Sequence, residues 1–172
     1  MKLHGIFLCS ILALVCAASF GAATGDTPLV PISIQKIWDQ GPYNAFTDLV
    51  FWHGQFYCVF RQGSAHRSTD GSLRVISSAD GKIWSSAAEL KYPDADMRDA
   101  HFSVMPDDRL LLNSAARISD GTFRSVASLS RDGREWSRPK TILPPDRWLW
   151  RLAWHRHPGA SLAGSHVKRR DG

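Results

Sequence analysis

Asp48 and Asp99 are 51 residues apart, and Asp99 and Arg151 are 52 apart, with Arg98 beside Asp99. Carboxylates at such positions can carry protons in acid/base chemistry. Guanidinium forks bind a carboxylate through two parallel hydrogen bonds. Arg61, Trp150 beside Arg151, and His66 at the end of Gln62-Gly63-Ser64-Ala65-His66 complete the candidate set. These residues are distant in sequence, so a repeating architecture must bring them to one rim. A purely structural reading stands beside the chemical one: Arg98-Asp99 as an ion pair on a wall, and Asp48 as the cap of a strand end.

The elements between them read as short strands. Apolar runs cover 46–52, 55–61, 73–78, 102–105, 109–112 and 122–129, with Gly, Pro and Asp turn signals between them. Runs of this length, rich in Val, Ile and aromatics, indicate β-strands. After residue 23 no window longer than ten residues sustains a helical period, so the body is expected to be all-β and antiparallel.

An internal repeat organises these strands. Ser78-Ala79-Asp80-Gly81-Lys82-Ile83-Trp84-Ser85 matches Ser130-Arg131-Asp132-Gly133-Arg134-Glu135-Trp136-Ser137 at an offset of 52 residues. Asp70-Gly71-Ser72-Leu73-Arg74 matches Asp120-Gly121-Thr122-Phe123-Arg124 at an offset of 50. In such a turn Ser and Asp side chains bond the backbone. Gly supplies a positive φ, and the Trp folds back under the hairpin. A repeat of about 50 residues holding four short strands has the size of a β-propeller blade.

The two Ser-x-Asp-Gly-x-x-Trp copies resemble the Asp-box of sialidases and other BNR-repeat proteins, although each is one residue shorter between Asp and Trp than the common form. Asn44-Ala45-Phe46-Thr47-Asp48-Leu49, Tyr57-Cys58-Val59-Phe60-Arg61, Leu73-Arg74-Val75, Met97-Arg98-Asp99 and Trp148-Leu149-Trp150-Arg151 resemble secreted bacterial sialidase-like proteins over residues 32–154. The resemblance implies a six-bladed propeller that removes terminal sialic acid, or a related acidic sugar, from glycoconjugates. It implies Asp48 and Asp99 as acid/base candidates and Arg61, Arg98 and Arg151 as ligands of the sugar carboxylate, with His66 and Trp150 also on the substrate-binding side. The first strand lacks the family's Arg-Ile-Pro-like stretch. The family's Tyr/Glu pair would fall in later blades, so the expected machinery is partial and this fragment is expected to be inactive. A non-catalytic carbohydrate-binding or scaffold propeller is the alternative.

The ends read differently from the body. Residues 1–23 have the charged start, apolar run and small-residue zone of a signal peptide, implying a secreted or periplasmic protein. Residues 24–43 hold one expected strand at 32–38, blade 1 spans 44–96, blade 2 spans 97–146, and 147–154 begins a third. The tail 155–172 shows no strand alternation and reads as out of frame or disordered. Two blades and a start are fewer than the four to eight that close a propeller, so the chain reads as truncated.

Of the formal charge of +5, all but +1 belongs to the ends. Without Lys2 and the four basic residues of 155–172, partly offset by Asp171, residues 24–154 hold 16 basic against 15 acidic side chains. That balance removes the argument for a nucleic-acid partner. No stretch after the signal is apolar enough for a membrane span. Cys58 lies in an apolar run and reads as a small buried hydrophobe. No phosphate loop, dinucleotide fingerprint or zinc spacing is present, so no cofactor or metal is expected.

Overall fold

In the computed structural model, residues 32–157 and 160–169 are described; the signal segment 1–23 lies outside them. The chain divides into two compact units, Met1–Ile34 and Gln35–Gly172, and the architecture below is that of the second.

Two four-stranded antiparallel meanders follow one another. Strands β1 (Tyr43–Trp52), β2 (Gln55–Gly63), β3 (Ser72–Ser78) and β4 (Ser85–Leu90) form the first sheet in sequence order. Strands β5 (Ala95–Val104), β6 (Leu110–Ile118), β7 (Phe123–Ser130) and β8 (Lys140–Thr141) form the second. Strand β9 (Arg147–His157) pairs with β10 (Ala160–Arg169). The described residues contain no helix. The all-β, antiparallel reading agrees with this, and the sheets follow the sequence repeat.

Strand β2 shows why the sheets stack. Tyr57 and Val59 join Leu73, Val75 and Leu90 on one face, against Met97, Phe102, Leu110, Leu112 and Val126 of the second sheet. Cys58 and Phe60 point the other way, join Ile76, and are covered by Ile37, Trp38 and Trp84. The pleat sends alternate residues to opposite faces, so a strand apolar at both parities is one covered on both. Burial raises the Cys58 thiol pKa to about 11, as suits a packing residue.

The two Ser-x-Asp-Gly-x-x-Trp turns have the same internal geometry. Asp80 Oδ1 accepts the N–H groups of Lys82 and Ile83 at 2.8 and 3.0 Å, and Asp132 Oδ1 accepts those of Arg134 and Glu135 at 2.9 and 2.8 Å. The indole of Trp84 donates to the Gly81 carbonyl and that of Trp136 to Gly133, at 3.0 and 3.1 Å. Gly133 has a φ of +74°, and a Cβ there would fall 2.2 Å from the Tyr57 ring, so glycine is required by conformation and by space. Tyr57 Oη in turn donates to the Asp132 carbonyl at 3.0 Å, tying the second turn to the first sheet.

Two expectations change. Residues 33–40 form no strand; without a ladder partner, the segment is held by Ile37 and Trp38 packed on the outer face of β2 and β3. The tail expected to be irregular supplies the end of β9 and all of β10. Main-chain pairing asks little of sequence when a neighbouring strand offers its ladder, so a stretch without alternation can still be a strand.

Two links fasten the sheets together. At one end Arg61 Nε donates to Asp96 Oδ1 at 2.7 Å, and Arg98 Nε donates to Asp96 Oδ2 at 2.7 Å. Arg61 is 0% exposed; its other nitrogens donate to the Ala65 carbonyl at 2.9 Å and Ser68 Oγ at 2.7 Å. At the other end His53 Nε2 lies 2.7 Å from Asp108 Oδ2, and the Trp52 indole donates to Asp108 Oδ1 at 3.3 Å. Removing one partner of a buried ion pair leaves a charge uncompensated. Asp96→Ala is therefore expected to cost about 3–5 kcal/mol, read as a lowered urea midpoint, whereas an unchanged midpoint would show that the link carries no stability.

Candidate functional site

The first strands of the two four-stranded sheets and of the β9–β10 pair share one irregularity. Pairing shifts between Ala45 and Asp48 in β1, and between Arg98 and His101 in β5. In β9 it shifts between Leu149 and Leu152, opposite Val167 and Ser165. Each is a bulge with two residues facing one, which bends the strand and re-aims its side chains. Phe46 and Asp99 take positive φ values of 60° and 44° there, a conformation disfavoured for most side chains and best tolerated by Asn and Asp.

The bulges fix which residues correspond. Phe46, Asp99 and Trp150 are equivalent, and so are Asp48, His101 and Leu152. The expected equivalence of Asp48 with Asp99 is thus off by two positions. The bulge residues Phe46, Asp99 and Trp150 are 53 and then 51 residues apart, so an even spacing in the sequence does not mark equivalent positions.

Asp48 is the centre of the resulting cluster. Its side chain is 13% exposed, and Oδ1 accepts from Arg151 Nη2 at 2.6 Å across 103 residues of chain. Oδ2 accepts the Phe102 N–H at 2.8 Å and lies 3.8 Å from His101 Nδ1. Arg151 Nη2 is also 3.4 Å from His101 Nδ1, and the Trp150 and His101 rings are 5.7 Å apart. His101 Nε2 is buried with no partner among the described residues. Arg151 and Trp150 remain 56% and 47% exposed. Asp48, Trp150 and Arg151 are therefore brought together, with His101 as a member that the sequence did not suggest. Nothing in the linear pattern marks His101; the bulge alone turns it towards Asp48.

Beside this lies a second group. Tyr43 Oη and His66 Nδ1 are 2.7 Å apart, the Phe46 and His66 rings are 5.7 Å apart, and the Arg98 guanidinium lies 5.9 Å from the Phe46 ring centre. Arg98 also donates to the His66 carbonyl. The loop carrying His66 thus reaches the strand carrying Asp99. Arg61 is corrected: buried and fully engaged, it anchors the two sheets and is unavailable to a substrate carboxylate. Arg98 keeps one edge at the surface but is braced by Asp96.

The two candidate carboxylates sit in opposed environments. Burial opposes ionisation of Asp48, but His101, the Phe102 N–H and Arg151 outweigh it and hold its pKa below the usual carboxylate range. Burial raises the pKa of Asp99, and the nearby Arg98 and His101 charges do not cancel that effect. Carboxylates whose environments push their pKa values apart can divide acid and base roles. Among the described residues no His, Cys, Asp and Glu side chains cluster in a way that could hold a metal ion.

No protein-family model and no curated protein matches the chain. Solved structures do. The fold resembles the GH43_1 enzyme from Xanthomonas citri complexed with xylotriose, with a TM-score of 0.53 and 14% identity over 66% of this chain and 36% of that one. A second structure of the X. citri GH43_1 enzyme gives 0.50 and 15% over 69% and 39%. CoXyl43, a GH43 β-xylosidase/α-arabinofuranosidase from a compost metagenome in complex with xylotriose, gives 0.51 and 12% over 67% and 39%. The chain thus spans less than two fifths of the length of these neighbours. At such identities the likeness shows the fold alone: an all-β, antiparallel, propeller-type arrangement of the kind found in GH43 glycoside hydrolases. The neighbours are not sialidases, so the expected six-bladed sialidase type receives no support from them.

Opposite pKa shifts make opposite stability predictions. Asp48, with its folded pKa lowered, contributes stability above its unfolded value that is lost as pH falls through the folded pKa. Asp99, with its folded pKa raised, loses stability as pH rises from the unfolded to the folded value. Thermal midpoints at pH 7 should fall in Asp48→Asn and rise in Asp99→Asn, where Asn also tolerates the positive φ. Both differences should shrink below the ordinary carboxylate range; shifts of the same sign would refute the opposed environments.

Proposed function

We propose that this chain forms the carboxylate-bearing part of a glycoside hydrolase-like propeller that takes a terminal sugar where β1, β5 and β9 converge. The observation that carries the reading is a pair of carboxylates on β1 and β5 in opposed surroundings, which lower the pKa of Asp48 and raise that of Asp99. Glycoside hydrolysis by most routes needs such a pair, one group protonating the leaving oxygen and the other acting as base or nucleophile. Asp99, half-buried and projecting from a bulge, is assigned the acid role. Asp48 is assigned the anionic role, held by Arg151 and the Phe102 N–H. Trp150 offers an exposed aromatic face for a sugar ring.

Terminal sialic acid or a related acidic sugar remains the substrate class proposed first, with Arg151 as the exposed guanidinium facing the site. A neutral pentoside is the competing substrate, supported by the xylotriose bound in two of the neighbours. A second reading, carbohydrate binding without turnover, is favoured by Asp48, whose two oxygens are both already engaged. A leader over residues 1–23 would place the protein outside the cytoplasm, secreted or periplasmic, and the mature N-terminus of the purified protein would report it.

The test is hydrolysis of fluorogenic sialosides, xylosides and arabinosides by the full-length protein. Turnover that falls about 10²–10⁴-fold in Asp99→Asn, with Asp48→Asn equally impaired, is the expected result. Saturable oligosaccharide binding without turnover would establish the second reading, and absence of both would overturn the carbohydrate assignment.

A further inference from the structure

Away from Asp48, a pocket of about 250 Å³ is lined by Arg67, Arg98, Arg117 and Phe123. Arg98 is paired with Asp96, but Arg67 and Arg117 repel one another at this small concavity, and that cost is relieved by an anion between them. Across the second sheet Asp96, Arg117 and Phe123 are consecutive partners on β5, β6 and β7, so Arg117 sits between the buried carboxylate and the aromatic wall. Phe123 stacks against Trp148, with ring centres 4.7 Å apart.

The arginine from the neighbouring loop is presented by a tied structure. Arg61 donates to the Ala65 carbonyl and Ser68 Oγ on either side of Arg67. Asp70 closes the same loop by accepting from the Ser64 N–H and hydroxyl at 3.1 Å. Arg98 is fixed by Asp96 and the His66 carbonyl. Of the acids around the pocket, Asp70 is tied to Ser64 and Asp146 Oδ1 accepts the Phe123 N–H at 3.1 Å. Asp96 is shared by Arg61 and Arg98, and Arg67 and Arg117 have no ion pair among the described residues.

We propose that this pocket is an oxyanion site that holds the carboxylate or sulfate group of an acidic glycan at the rim. Guanidiniums suit it because planar N–H forks match the oxygens of both groups. The volume fits one such group and part of its ring, with Phe123 as the apolar wall. That a sugar carries the anion rests on the proposed carbohydrate function; anion binding itself rests on the pocket alone.

Sulfate titration of the full-length protein by calorimetry tests the site. Saturable binding is expected. It should weaken at least about tenfold in Arg67→Ala and in Arg117→Ala, the effect of losing one charge-assisted hydrogen bond, and it should persist in Asp48→Asn. Arg98 is left intact because it braces Asp96. Glucuronate and glucose 6-sulfate should compete and glucose should not. Absence of saturable sulfate binding, or undiminished binding in the Arg67→Ala/Arg117→Ala double variant, would overturn the site. Competition by inorganic phosphate with none by either acidic sugar would overturn the glycan assignment. Loss of hydrolysis with sulfate binding retained would count against the proposed function and leave the anion site standing.

Discussion

The rest of the structure depends on a carboxylate with no access to water. Asp96 is buried between Arg61 and Arg98, and it bridges two sheets that also meet through an apolar core and the polar links of Asp108 and Tyr57. Apolar faces slide and rotate at small cost, because their attraction is non-directional. A buried ion pair cannot, since any displacement leaves charge unpaired in a medium of low polarity. The close approach is absolute at Gly71, where a Cβ would fall 1.8 Å from Asp96 Oδ1. The angle between the sheets, and so the direction of β1 relative to β5, is set here.

That fixed angle gives the bulges their use. Strain at a left-handed Asp99 or Phe46 persists only where surrounding packing over-determines it. In this chain the bulged residues stand on the first strand of each sheet, beside a locked interface. One irregularity repeated at Phe46, Asp99 and Trp150 turns three different side chains towards a common region. The fold repeats, but the residue presented at the bulge does not, and a repeat architecture can thereby build an asymmetric site.

The strands, their antiparallel order and the tight turns were legible in the sequence because each depends on local signals: short apolar runs, and Ser, Asp, Gly and Trp at fixed offsets. Asp48 and Arg151 do meet, but at positions that the repeat spacing wrongly equated. The role of Arg61 was not. Its partner Asp96 is 35 residues away, and an arginine that ends an apolar strand looks the same whether it meets a buried aspartate or a ligand. His101 was hidden because a bulge changes parity without changing composition. The segment at 33–40 and the strand β10 failed in opposite directions for one reason: a strand requires a neighbouring ladder, and sequence pattern does not report one.

Charge accounting at the rim decides where an anionic ligand could be held. Arg61 and Arg98 share Asp96, and Arg151 is committed on one side to Asp48. An arginine already paired with a carboxylate attracts a second one weakly, because the first has neutralised most of its field. Positive potential therefore shifts from the inner strands towards Arg67 and Arg117, which the tied β2–β3 loop and the end of β6 present. A sugar bound with its ring near Trp150 and Asp99 would have to direct its acidic substituent outward to be held there. In the proposed reading, the groups assigned to proton transfer and the groups assigned to recognising charge are separate.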